Sequence, residues 1–448
     1  MTATVRRAGG FAAVGLLSLS VPYIDSLTGP ALATVLAPAP FIVVAALALY
    51  VVDEGALFEL FARPGDRRDG RLYGLAGFSL AAAGLALFAV RFEMPMSVFV
   101  GTVLLLSWGN LGGHATRAVN DEPILATAGF VVVGSVAGAL GQFAPTLVVP
   151  VTLEWPLVAF LATSGALLAA LLRVVLFERD DPLVMVSVGL LLWLFFDLQV
   201  PVSTTGIAVA LAVTVVLGVV SYVLETASLP GMLTGVLLGL LTIVLGGQGW
   251  FVILMTFFGV GGLAAKFRYE EKRARGIAEE NEGARGSGNV LANSLAGLVA
   301  VLGAAASPSL TTLPRVLFLF AFAGSIAAAT SDTLSSEIGG VFDGPRLITT
   351  FERVDPGTDG AVTWQGELAG LAGAGLIAAI ALVMFDLVDP VGAGIVLAAG
   401  FGGMTVDSLL GATVEGRWLE NEGVNFAATV SGALVAAGLA IAAGFAAV

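Results

Sequence analysis

Residues 313–340 read Leu313-Pro-Arg-Val-Leu-Phe-Leu-Phe-Ala-Phe-Ala-Gly-Ser-Ile-Ala-Ala-Ala-Thr330-Ser-Asp-Thr-Leu-Ser-Ser-Glu-Ile-Gly-Gly340. The first seventeen carry one charge, Arg315. A spanning helix needs about 20 mostly apolar residues, so this stretch predicts a membrane span over 313–329. It runs directly into a string of hydroxyls and two acids. The same grammar recurs along the chain. Spans are expected near 10–27, 31–51, 71–90, 96–113, 124–142, 156–177, 182–200, 205–222, 229–245, 248–265, 289–306, 313–329, 366–386, 389–410 and 424–446, about fifteen in all by length and hydropathy. Arg6 and Arg7 precede the first apolar run like a signal peptide, but no small-residue cleavage site closes it, and it reads as a retained span.

Composition agrees. Of 448 residues, 57% are hydrophobic and 12% charged, against about 25% charged in a soluble domain. A soluble enzyme and a disordered scaffold are excluded, and the expected fold is an all-α, polytopic helical membrane protein. The net charge of −13 gives no attraction to nucleic acid; membrane lipids are the expected surroundings. Cysteine is absent and His114 is the sole histidine. Disulfides, thiolate chemistry, multi-His zinc sites and Ser-His-Asp triads are therefore set aside. The two lysines, Lys266 and Lys272, do not close a P-loop.

With the N-terminus inside, eighteen of the twenty basic residues fall on the inner side, and Arg91 and Arg315 alone fall outside. That is a strong positive-inside bias. It predicts a multi-pass protein of the cell membrane with its C-terminus outside and its polar loops (52–70, 266–288, 330–365 and 411–423) on the cytoplasmic side. Three of the four lie in the second half. The chain is accordingly divided into an apolar bundle, 1–228, and a second domain, 229–448.

Four constellations could carry chemistry. Lys266, Arg268, Lys272, Arg273, Arg275 and Arg285 are interleaved with glutamates. A solvated topology-fixing loop is one reading and a phosphate clamp the other. Asn289 and Asn293 follow, spaced i,i+4 on one helix face, open to either a helix–helix hydrogen bond or a ligand. The second constellation is Asp332, Ser336 and Glu337 at the end of a span. Acids at membrane depth are functional candidates by default, and carboxylates among hydroxyls suit Mg²⁺. A helix cap by Ser331 or Asp332 is the simpler account, but it needs neither Glu337 nor the serine pair. The third is a turn-rich loop with Arg346, Thr349, Thr350, Arg353, Gly357, Thr358, Gly360, Gln365 and Gly366, whose glycines would let backbone approach a ligand. The fourth, Val406-Asp-Ser-Leu409, echoes Ser331-Asp-Thr-Leu334 and places Asp407 and Ser408 at a second helix end, before Asn421 and Asn425. Tyr23-Ile-Asp-Ser-Leu27 echoes it too, on the other side of the membrane. Gly134-x-x-x-Gly138 and Gly235-x-x-x-Gly239 read as small-residue packing signals.

In this order on one chain, these motifs resemble the integral-membrane family built on domain of unknown function 92, to which transmembrane protein 19 and the plant phytyl-phosphate kinases belong. The similarity covers about residues 229–446. The resemblance implies a kinase-like transferase that moves a phosphoryl group from CTP, or another NTP, to an isoprenoid monophosphate or other lipid substrate. Asp332, with Glu337 or Asp407, would hold Mg²⁺; Lys266, Arg268, Arg285, Arg346 and Arg353 would neutralise phosphate oxygens. A lipid cytidylyltransferase and a transporter or flippase are the rival readings. The sequence departs from the family in two ways. Extra spans precede the motifs, and Glu415 stands where a glutamine is expected. One account of the first half is a degenerate duplicate, with Trp108-Gly-Asn-Leu-Gly-Gly-His114 in place of an active loop.

Overall fold

The computed structural model describes residues 2–148, 152–176, 181–223, 228–278, 287–307 and 309–446. Its contacts divide the chain into two compact units, Met1–Val209 and Ala210–Val448. Among the described residues, fourteen helical runs are long and apolar enough to cross a membrane. A helix of 17 residues, Asp181–Asp197, falls just short of that length and occupies the position of the span expected at 182–200. The protein is an all-α, multi-pass membrane protein.

The first unit comprises α1 (Ala3–Gly15), α2 (Ser20–Leu27), α3 (Pro30–Leu36), α4 (Ala39–Tyr50), α5 (Gly55–Phe61), α6 (Pro64–Asp69), α7 (Tyr73–Arg91), α8 (Met96–Arg117), α9 (Pro123–Phe143), α10 (Trp155–Val175), α11 (Asp181–Asp197) and the start of α12 (Thr204–Val223). Its centre is α8, which packs on α1, α7, α9, α10 and α11. Small residues let α8 and α9 approach closely. A Cβ at Gly112 would stand 2.7 Å from Gly129 O, and one at Gly134 would stand 3.1 Å from Leu105 O. Trp108–His114 lies inside α8, so the loop imagined there does not exist: the chain needs its backbone bonds satisfied within the span. The loop between α4 and α7 is held by Asp66, whose buried carboxylate accepts from Arg63 N at 3.0 Å and Tyr73 N at 3.1 Å.

The second unit holds the rest of α12, then α13 (Leu229–Leu241), α14 (Gln248–Lys266), α15 (Tyr269–Ala274), α16 (Ser287–Ala306), α17 (Arg315–Gly339), α18 (Trp364–Met384), α19 (Pro390–Thr413) and α20 (Asn421–Ala442). Two short strands, β1 (Arg346–Leu347) and β2 (Ala361–Val362), pair antiparallel, Arg346 opposite Val362. The helix read first in the sequence, α17, is the axis; α14, α16, α18, α19 and α20 all pack on it. Its alanines and glycines make this possible. A Cβ at Gly324 would lie 2.5 Å from Gly432 O on α20, and one at Gly403 on α19 would lie 2.3 Å from Ala328 Cβ. Hydroxyls inside the spans are satisfied locally: Thr330 Oγ1 donates to Ile326 O at 2.7 Å and Ser325 Oγ to Phe322 O at 2.9 Å. Gly235 does not serve the packing role read for it, because a Cβ there would meet nothing within 4 Å.

Candidate functional site at the polar ends of α17 and α19

The helix α17 runs on past the expected span to Gly339. Asp332 therefore sits within the helix, not at its N-terminus, and the capping account fails on geometry. Ser331 is fully buried and donates to Gly370 O on α18 at 2.8 Å. One residue on, Asp332 meets Asp407 of α19 in a side-chain hydrogen bond. The two echoing tetrapeptides thus bring their acids together. Two carboxyl groups in that contact share a proton or a cation. One oxygen of Asp407, Oδ1, is buried with no donor beside it. A buried orphan acceptor is unfavourable by about 1–3 kcal/mol, and a cation would relieve it. Among the described residues no group of three or more acids or imidazoles could hold a metal ion. Mg²⁺ needs only one or two protein carboxylates beside waters and substrate phosphates, so Asp332 and Asp407 fit it.

Glu337, read as a third metal ligand, is held elsewhere. It accepts from Lys272 Nζ at 2.5 Å. The same Nζ donates to Ala264 O at 3.1 Å and Ala265 O at 2.6 Å. Lys272 thus closes the C-terminal carbonyls of α14 and ties α15 to the end of α17. It is 2% exposed, whereas Lys266, the lysine singled out from sequence, is exposed. Arg268 is exposed and pairs with Glu271 at 2.5 Å. Arg275 Nη2 reaches Asp343 at 2.9 Å, joining α15 to the loop after α17. Arg285 lies outside the described residues.

That loop folds back over the site. Gly360, at φ 73°, seats on the end of α19, where a Cβ would lie 2.4 Å from Ala412 N and 2.5 Å from Ser408 O. Gly357, at φ 86°, abuts Ile277, and Gly366 abuts Ser335 O and Gly339 Cα. Protein fills the space beside each of these three glycines, so chain packing accounts for their missing side chains. Thr363 caps α18 by accepting from Gly366 N at 3.2 Å and donates to Gly339 O at 3.3 Å. Arg346 donates to Phe351 O at 2.6 Å, and Arg353 pairs with Arg346 through backbone. Both side chains are exposed, as is Thr349, and Gln365 is half-buried. Thr358 Oγ1 donates to Asp355 O at 2.8 Å, and Ser336 Oγ, which is exposed, to Asp332 O at 3.1 Å.

Asn293 and Asn425 each donate within their own helix. Asn293 Nδ2 donates to Asn289 O at 3.0 Å. Asn425 donates to Asn421 Oδ1 at 2.9 Å, and Asn421 donates to Glu415 Oε1 at 3.3 Å. Glu415, the residue that departs from the family pattern, thereby ends a relay from α20. Burial raises its carboxyl above the usual range; the negative Asp359 adds to that, and the Asn421 bond opposes it.

The family model described as integral membrane protein DUF92 matches residues 212–433, which span this site. The uncharacterized membrane protein MJ0933 of Methanocaldococcus jannaschii is 39% identical over 207 residues, covering 46% of this chain and 82% of that protein. The chain belongs to the DUF92 family. Other relatives of this DUF92 protein include sll0875 of Synechocystis, an uncharacterized membrane protein 37% identical over 199 residues (44% of this chain, 75% of that one). Protein VTE6, chloroplastic, of Arabidopsis thaliana is 33% identical over 221 residues, 47% of this chain and 64% of its own length. No solved structure matches. The DUF92 match falls on the second unit apart from its edges, and all the described motif residues of the site lie within it.

Proposed function

We propose that this DUF92 protein is a membrane-embedded prenyl-phosphate kinase, transferring a phosphoryl group from CTP, or another NTP, to an isoprenoid monophosphate on the cytoplasmic side of the cell membrane. The observation that carries the reading is the Asp332–Asp407 contact. Two acids from different spans meet at the polar ends of their helices, one with a buried acceptor left over. The order of motifs shared with the phytyl-phosphate kinases, together with the VTE6 match, supports a lipid substrate of the prenyl class.

Asp332 and Asp407 would hold Mg²⁺, which neutralises charge on the nucleotide phosphates. The exposed Arg346 and Arg353, with Lys266, Arg268 and Arg285 of the basic run, would meet donor and acceptor oxygens. Ser336, Thr349, Thr358, Gln365 and Ser408 would add polar contacts to the phosphates. An oxygen of the prenyl monophosphate bonds to the γ-phosphorus as the bond from that phosphorus to the β,γ-bridging oxygen breaks, leaving the nucleoside diphosphate. The acceptor is already ionised near neutral pH, so the chain needs no strong general base. The prenyl tail would lie between spans, against lipid.

The test is product analysis with purified protein in nanodiscs, given Mg²⁺, CTP and geranylgeranyl or phytyl phosphate. A prenyl diphosphate supports the reading. A CMP-bearing lipid would assign cytidylyl transfer instead, and no product with either acceptor would return the protein to the transporter class.

A further inference from the structure

The loop that folds over the site holds a strained aromatic. Phe351 adopts φ 58°, in the left-handed region that a Cβ disfavours and that bulky residues rarely enter. It is fixed there on both sides. Its N–H donates to Leu347 O at 2.8 Å, and its carbonyl accepts from Arg346 Nη1 at 2.6 Å. Thr350 Oγ1 accepts from Glu352 N at 3.3 Å in the same turn. Phe351 is nevertheless 65% exposed, so its ring returns little packing to the fold. Glycine or asparagine would make this turn with less strain. The turn is also anchored at the site. Ile348 N donates to Gly360 O at 3.1 Å, and Gly360 is seated on Ser408 and Ala412 of α19, beside Asp407 in the chain. Three residues of chain span at most about 11 Å, so Phe351 lies no farther than that from Ile348.

A single exposed apolar residue is ordinary on a protein surface, and an aromatic near a membrane can simply face lipid. Neither account covers a ring held in a strained backbone. Strain of this kind gathers at ligand sites, where the surrounding structure holds it in place. The interfacial aromatics of membrane proteins are Trp and Tyr, whose polar atoms suit the headgroup layer. Trp364 opens α18 and Trp418 lies between α19 and α20, both at span ends. Phe351 has no polar atom in its side chain, and it lies twelve residues past Gly339 and thirteen before Trp364. Glu352, Arg353 and Asp355 follow it directly, and charges so close keep the turn out of the acyl chains. A bare ring beside phosphate-facing arginines suits a nucleobase, because every base has a π-face to stack. We propose that Phe351 is the platform on which the base of the nucleotide donor stacks. The inference rests on the kinase reading for the presence of a nucleotide and adds where its base lies. Stacking reads no hydrogen-bond pattern, so this platform accepts purine and pyrimidine triphosphates alike.

The test is equilibrium binding to full-length protein in nanodiscs with Mg²⁺, read by calorimetry, with CTP, ATP and inorganic tripolyphosphate as separate probes. The variants are Phe351→Gly, which relieves the backbone strain, Phe351→Leu, which keeps an apolar side chain, and Phe351→Trp, which keeps a ring. Phe351→Gly and Phe351→Leu should bind CTP and ATP at least about fivefold more weakly than wild type, the low end for loss of base–aromatic stacking. Both should bind tripolyphosphate as wild type does, and Phe351→Trp should bind all three probes as wild type does. The unfolding midpoint of Phe351→Gly should not fall, since glycine suits this φ. Equal nucleotide binding by wild type, Phe351→Gly and Phe351→Leu overturns the platform and leaves the kinase reading standing. An equal loss for tripolyphosphate also overturns it and makes Phe351 a positioning residue for the loop. Weakened binding of geranylgeranyl phosphate with nucleotide binding unchanged overturns it in favour of a contact to the lipid tail. No nucleotide binding by folded wild type defeats the kinase reading and the platform together.

Discussion

Replacing Lys272 with methionine keeps the length and apolar stem of the side chain and removes its charge. The structure sets the magnitude. Nζ makes three hydrogen bonds, to Ala264 O, Ala265 O and Glu337 Oε2, and the side chains of Lys272 and Glu337 are 2% and 12% exposed. Removing one partner of a buried ion pair leaves the other charge uncompensated, at about 3–5 kcal/mol. Glu337→Gln keeps an acceptor and leaves the lysine on two carbonyls, so it should lose about 1.5–3 kcal/mol, the range for a hydrogen bond to a charged group. The double variant Lys272→Met/Glu337→Leu removes both charges and should recover most of the loss, since buried pairs exchanged whole for apolar groups are often near neutral. The assay is reversible unfolding of purified protein in mixed micelles, followed by tryptophan fluorescence, with the coupling taken from the cycle of wild type, Lys272→Met, Glu337→Leu and the double variant. A Lys272→Met protein within about 1 kcal/mol of wild type, or a double variant showing the full sum of the single losses, would refute the buried-pair account.

Asp332→Asn and Asp407→Asn should each lower prenyl-phosphate turnover at least about 100-fold, as expected for loss of charge on a metal-bound carboxylate; turnover within a few-fold of wild type would remove the pair from the site. The unfolding midpoint of Asp407→Asn without Mg²⁺ should not fall, because its buried orphan oxygen is unfavourable in the folded protein. Gly360→Ala puts a Cβ 2.4 Å from Ala412 N at φ 73°, and the backbone strain alone is about 1–2 kcal/mol. Limited proteolysis should then cut the 340–363 loop faster than in wild type. Glu415 has a raised pKa in the fold, so its contribution to stability is full below its unfolded pKa and is lost as pH rises through the folded one. Glu415→Gln should therefore flatten the fall of the unfolding midpoint from the ordinary glutamate range upward, and an unchanged slope would contradict this.

Much of the fold was legible because membrane spans are fixed by length and apolarity. Two features escaped. The α17 helix continues through Thr330 to Gly339 because its hydroxyls bond back to its own turns and Ser331 finds Gly370 O; no apolarity signal marks that end. The α11 helix stops short of the expected span. At the site, the Asp-hydroxyl-Leu strings marked Asp332 and Asp407 on two small-residue helices that pack together, but the same string at Tyr23–Leu27 meant that the string alone did not single out the pair. The choice of Lys266 over Lys272 was not decidable, because burial of Lys272 depends on how α15 folds back against α17. Likewise the loop glycines looked equally suited to a ligand and to tight packing. The placement of Gly357, Gly360 and Gly366 against other parts of the chain distinguishes the two.

The central claim is phosphoryl transfer to a prenyl phosphate, and a paired-label experiment tests it most directly. Purified protein in nanodiscs with Mg²⁺ and geranylgeranyl phosphate is given CTP labelled at the γ-position in one reaction and at the α-position in the other. The account predicts label in prenyl diphosphate from the γ-position only, absent in Asp332→Asn and Asp407→Asn. Label in lipid from the α-position, or label from neither in folded protein, would contradict it.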